Sequence, residues 1–206
     1  EVTFPNEEDK YPLFITWNIY SSPAAVTRAS QALINGTKDR QNGSSARLRG
    51  CIGTFEPKPL KEGLGEYAHI AAFQDHRFSP ISLAELPRLE CGVSLLTSFE
   101  DCEDYLDWDL GTHGIYIHLT PHESGANGSS RRSRTLTATY LPDVAPAQGW
   151  SKEEAIESAI RKSGFEGRIT QELKETGLKV RRYRSEKLSR NYEDWKHWRE
   201  EQGRGQ

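Results

Sequence analysis

Arg47-Leu48-Arg49-Gly50-Cys51-Ile52-Gly53-Thr54-Phe55 is the stretch on which the reading of the fold turns. It alternates like a strand and sets one thiol between two glycines, behind two arginines. Glycine inside a strand marks a bulge or a close backbone approach. Two glycines around Cys51 therefore read as a strand built to keep that thiol reachable. The competing reading is that Cys51 only fills space, since free cysteine is among the most buried residue types. Upstream, Leu13 to Ile19 is apolar and β-prone and reads as a buried strand. It is expected to pair antiparallel with the Cys51 strand across a polar excursion, Ser21 to Ala46, that holds a short helix at Ala24 to Ile34.

Downstream, Pro57 and Pro59 close the strand, and Leu64 to Phe73 has helical spacing. A short helix is expected at Leu83 to Leu86 and a strand at Cys91 to Thr97. Ile115 to Leu119 and Thr135 to Tyr140 read as a hairpin around a second polar loop, 121–134. Lys152 to Lys162 is the clearest helix, with a Ser151/Glu154 capping box and Gly164 as its stop. A basic strand, Leu178 to Leu188, and a terminal helix, Asn191 to Gln202, finish the chain. Strands and helices mixed without a βαβ rhythm argue for an α+β fold with antiparallel pairing.

The 206 residues suffice for one domain with its own core. The net charge of −3 conceals an asymmetry: 10 basic and 18 acidic side chains in residues 1–130, against 17 and 12 in residues 131–206. A nucleic-acid footprint would have to lie in the C-terminal third. Cys51, Cys91 and Cys102 form no C-x-x-C pair and no zinc spacing, and an odd count fits free thiols in a reducing compartment. Asn35-Gly36-Thr37, Asn42-Gly43-Ser44 and Asn127-Gly128-Ser129 match the glycosylation pattern but read as turn chemistry. No apolar run has spanning length. The chain opens at Glu1 and contains no methionine, so it is expected to be a piece of a longer protein.

Leu48-Arg49-Gly50-Cys51-Ile52-Gly53 also carries a resemblance. With Asp75, Arg77-Phe78, Pro80, Glu85-Leu86-Pro87, Val93-Ser94-Leu95-Leu96, Leu106-Asp107-Trp108, Gly111-Thr112-His113-Gly114-Ile115, Thr139-Tyr140-Leu141-Pro142, Gln148-Gly149-Trp150 and Arg182-Tyr183-Arg184-Ser185-Glu186-Lys187, the chain resembles the AMMECR domain family over most of residues 11–195. The resemblance implies a two-lobed α+β fold, the larger lobe built from both chain ends. Its implied activity is unsettled, and a Memo-type protein partner is implied only by association. Residues 21–46 and 121–134 depart from the family and read as flexible insertions in a single domain, 1–206. His76, His118 and His122 fall on no motif position.

The sharpest functional constellation is Cys51 with His113. A cysteine nucleophile acts as thiolate, which Arg47, Arg49 or a protonated imidazole would favour. His113 projects from a glycine turn, and Asp107 or Asp109 could orient its ring. The opposing reading has His113 satisfying a turn hydrogen bond. The function expected is thiol chemistry on a small polar ligand, with Cys51 and His113 catalytic and Arg49, Gly50, Gly53, Asp109 and Gly111 around the ligand. The alternative is a non-catalytic adaptor binding a protein or nucleic acid through Arg182, Arg184 and Lys187, although a charged edge strand needs no ligand. Six carboxylates between Glu100 and Asp109 read as a solvated helix face, and no metal is expected. No Walker loop or dinucleotide fingerprint occurs, so no cofactor is expected. The expected location is cytoplasmic, with the nucleus second, and no membrane.

Overall fold

A computed structural model describes residues 3–34, 46–121 and 135–204. The elements run β1 (Lys10–Ile19), α1 (Pro23–Ile34), β2 (Arg47–Pro59), α2 (Leu60–Phe73), a 3-10 turn (Leu83–Arg88), β3 (Leu89–Asp101), β4 (Gly114–Leu119), β5 (Leu136–Tyr140), α3 (Val144–Gln148), α4 (Lys152–Lys162), a π turn (Leu173–Gly177), β6 (Leu178–Asn191) and α5 (Tyr192–Arg204). Among the described residues six strands are hydrogen-bonded in the order β2-β1-β3-β6-β4-β5. The fold is α+β with antiparallel pairing. Residues 35–45 of the first polar insertion and 122–134 of the second, with all three Asn-Gly-Ser/Thr sites, lie outside the described residues.

The chain divides into two compact units. Unit 1 comprises residues 1–95 and 186–206, drawn from both chain ends. β1 lies between β2 and β3, with Thr16 opposite Cys51 on one side and Gly92 on the other. Leu13 and Ile15 are buried against α2 at Ala71, with Trp17, Ile52, Leu64, Tyr67 and Ala68 packed around them. Gly50 is what lets α2 come this close: a Cβ there would be driven into the Ala71 carbonyl. The Trp17 indole N–H donates to the Ala68 carbonyl at 3.1 Å and ties the helix to the strand.

Unit 2 comprises residues 96–185. The expected pairing of β4 with β5 forms, with Ile115 opposite Tyr140 and Leu119 opposite Leu136. α4 buries Ala155, Ile156, Ala159 and Ile160 among Ile115, Ile117, Leu119 and Val180. Each fully buried isoleucine is worth roughly 1.5–3 kcal/mol. The Ser151/Glu154 capping box starts α4, and Gly164, at φ +91°, follows its end. One expectation is corrected here. The acidic run forms no helix: β3 continues to Asp101, and turns carry the remainder to Thr112.

Candidate functional site

In unit 1, β alternation separates two faces of the sheet around β1. Trp17 faces α2, so its neighbour Thr16 faces away, in one row with Cys51 and Gly92. Cys51 is half-buried, and its Sγ lies 3.2 Å from the Thr16 hydroxyl. Gly53, two residues on, lies against Phe14, whose ring a Cβ would strike.

Both backbone groups of Cys51 are held by one ion pair. The Cys51 N–H donates to Asp75 Oδ2 at 2.9 Å, and Arg77 Nη2 donates to the Cys51 carbonyl at 2.9 Å. Arg77 grips the same carboxylate through Nε at 2.9 Å and Nη2 at 2.7 Å. The hydrogen bonds from Arg77 hold the Asp75 carboxyl well below the usual carboxylate range, helped by the N–H groups of Cys51 and Arg77 and opposed by burial. Asp75 is buried while more than half of the Arg77 side chain is exposed. Hydrogen bonding to Asp75, with the charge of its carboxylate, raises the guanidinium's pKa against the opposing pull of burial. Thr16, Asp75 and Arg77 thus enter the site from outside the predicted set. The signal for two of them was Asp75-His76-Arg77 itself, an aspartate two residues before an arginine where α2 ends.

Arg77, rather than Arg49, is the guanidinium bound at Cys51. Arg49 is buried and points to the segment before β3: Nε meets Glu85 Oε1 at 2.7 Å and Nη2 meets Oε2 at 3.2 Å. Its remaining bonds go to the carbonyls of Ser79, at 2.7 Å, and Pro80, at 3.1 Å. That set fixes a loop. Cys91 lies on the α2 side of the sheet, and burial, with the Glu90 carboxylate, pushes its thiol up to about 11.

His113 belongs to unit 2, with its partners. The Asp109 N–H donates to His113 Nδ1 at 3.0 Å, and the His113 N–H donates to the Asp109 carbonyl at 2.9 Å. An accepting Nδ1 leaves the ring proton to Nε2 in the neutral imidazole. The backbone of Asp109 therefore orients the ring, while its exposed carboxylate lies 3.8 Å from Nδ1 and 3.6 Å from Lys152 Nζ. Gly111 takes φ +77° in this turn, a conformation that glycine adopts freely. Cys102, also in unit 2, has its thiol raised by burial and by Asp107.

Of the basic set, Arg182 spends its fork inside unit 2. Nε donates to Glu100 at 2.9 Å, and Nη1 donates to Asp107 Oδ1 at 2.7 Å and to its carbonyl at 3.0 Å. Arg181 pairs with Asp101 at 2.9 Å. Arg184 is exposed in unit 2, whereas Lys187 belongs to unit 1. Among the described residues no three His, Cys, Asp or Glu side chains converge as metal ligands, and no helix is long and apolar enough to cross a membrane.

Residues 3–188 match the model of the AMMECR1 family. An uncharacterised protein of Arabidopsis thaliana is 42% identical over 92% of this chain and 75% of its own length. One of Schizosaccharomyces pombe is 43% identical over 75% of this chain and 73% of its own. The crystal structure of an uncharacterised protein from Pyrococcus horikoshii superposes with a TM-score of 0.60 at 26% identity, covering 92% of this chain and 78% of that one.

Proposed function

The chain belongs to the AMMECR1 family, and on that premise we propose that unit 1 binds a small polar ligand on its Cys51 face and acts on it through the thiol. The observation that carries this reading is the Asp75–Arg77 clasp. It fixes the backbone of a half-buried cysteine and leaves a cation at the surface beside it. The outer edge of Arg77 is the donor for a carbonyl or carboxylate of the ligand, and the Thr16 hydroxyl lies within hydrogen-bond distance of Sγ. In attack on a ligand carbonyl, the S–C bond forms, the carbonyl π pair moves to oxygen, and that oxygen takes the thiol proton. The addition needs no co-reactant.

The test is mass-spectrometric thiol labelling at neutral pH. Cys51 is expected to react faster than Cys91 and Cys102, and Arg77→Met to slow Cys51 alone. Labelling of Cys51 no faster than Cys91 would overturn the proposal. The adaptor reading through Arg182, Arg184 and Lys187 has less support, because Glu100 and Asp107 already occupy Arg182. A low-salt gel shift lost on replacing Arg184 and Lys187 would reverse that order.

A further inference from the structure

Unit 1 has a concavity on the opposite face of the sheet from Cys51. Trp17 lies opposite Gly50 and Cys91, whereas Thr16 lies opposite Cys51 and Gly92, so the two rows leave opposite sides. On the Trp17 side a cavity of about 330 Å³ opens between Trp17 and Cys91 on the strands, Leu86 and Leu89 beside the 3-10 turn, and Tyr192 and Trp195 on α5. The Tyr192 and Trp195 rings stack at 5.4 Å and 21°, and the Arg199 guanidinium lies 5.6 Å from the Trp195 ring centroid. The cavity's volume falls at the small end of ligand sites, about 300–1,000 Å³.

Two polar residues complete the lining, and they differ in what they have left to offer. Asn191 is buried and caps α5: its Oδ1 accepts from the N–H groups of Glu193, at 2.8 Å, and Asp194, at 3.0 Å. Arg190 is exposed, and among the described residues its fork makes one bond, Nη1 to the adjacent Ser189 carbonyl at 2.9 Å. It is the charged residue of the lining. Aromatic walls favour a flat ring in offset or edge contact, and the Arg190 guanidinium at the rim favours a carboxylate. We infer that this cavity is a binding site for a small aromatic monocarboxylate, its ring between Trp17 and Trp195 and its carboxylate on Arg190. The site is separate from the Cys51 face and does not depend on the function proposed for it.

The probe is 2-naphthoate, with 2-naphthamide as its uncharged counterpart, followed by calorimetry and by NMR of the tryptophan indole N–H groups. Saturable binding of the acid is expected at a Kd near a millimolar or below. The Trp17 and Trp195 signals should shift while those of Trp108 and Trp150 stay. Arg190→Gln should weaken the acid roughly fivefold or more and leave the amide unchanged. Cys51→Ala should leave the acid's affinity unchanged. Absence of saturation at about 5 mM would overturn the site. Equal binding of acid and amide, or unchanged acid binding by Arg190→Gln, would overturn the assigned chemistry. Binding lost in Cys51→Ala would place the probe on the other face and overturn the location.

Discussion

Arg49 in unit 1 and Arg182 in unit 2 make nearly the same contacts in different surroundings. Each sends Nε and an Nη to carboxylates and also reaches a backbone carbonyl. Around Arg49 the side chains are 10% exposed for the arginine and 17% for Glu85. Around Arg182 they are 27% for the arginine, 58% for Glu100 and 34% for Asp107. Water can replace what Arg182 supplies, but it reaches little of what Arg49 supplies. The same fork is therefore a strut in one unit and a surface tie in the other.

Removing the strut should have the largest effect. Arg49→Ala leaves the Glu85 carboxylate shielded without its partner and deprives two carbonyls, of Ser79 and Pro80, of their donors. The expected loss is roughly 3 kcal/mol, toward the value for breaking a buried pair. Urea unfolding followed by tryptophan fluorescence would measure it. A loss below about 1 kcal/mol would put Arg49 in the class of surface pairs and erase the contrast.

Acid should act through the same pair, with a smaller effect. Hydrogen bonding from Arg49, with the N–H and hydroxyl of Ser82, depresses Glu85 from 4.5 to about 2 against the opposing pull of burial. A carboxyl depressed in the folded state stabilises at pH values above its unfolded pKa, and that contribution fades as pH falls from about 4.5 toward 2. Asp75 is depressed too and is lost in the same direction. The informative quantity is therefore the difference between the parent and Glu85→Gln. The variant should start less stable at pH 7 and lose less on acidification to pH 3, read as thermal midpoints. Parallel curves would show that Glu85 titrates alike in both states.

The strands around Cys51 were legible because alternation and two glycines are local signals. The capping box of α4 was legible for the same reason. The partners of Arg49 were not. Ser79, Pro80 and Glu85 lie 30 to 36 residues along the chain, so the motif suggests a cation near the thiol and the fold turns it elsewhere. Asp75 and Arg77 could have been paired from sequence, being two residues apart, although their grip on Cys51 could not. The acidic run misled because six carboxylates in ten residues read as solvent-facing helix. Arg182 reaches Asp107 and Glu100 from 75 and 82 residues away, and carboxylates held in that way need no helix. Tyr183 reads in sequence as the aromatic of the basic strand, yet it is fully buried against Gly114, with its hydroxyl donating to the Tyr140 carbonyl. Only the folded hairpin supplies those partners.

The smallest expected effect belongs to Arg182, and salt is the variable that reveals it. Arg182→Ala removes its bonds to Glu100 and Asp107, but both carboxylates keep access to water, and Asp107 still accepts the Glu103 N–H at 3.1 Å. The depressed pKa of Asp107 has that N–H as its first cause, ahead of Arg182, so the turn retains its main anchor. At low ionic strength the variant's thermal midpoint should fall by about 2 °C or less. In about 1 M NaCl, where the Debye length shrinks to roughly 3 Å, most of that difference should vanish. Arg49→Ala, measured beside it, should keep most of its deficit in salt, because ions do not reach a shielded pair and the two carbonyl bonds are not ionic. If both deficits persist equally in salt, Arg182 is a strut as well, and exposure does not separate the two arginines. If both vanish, the Arg49 contribution is Coulombic and solvent-accessible, and the clasp on the segment before β3 must be looser than its bond lengths indicate.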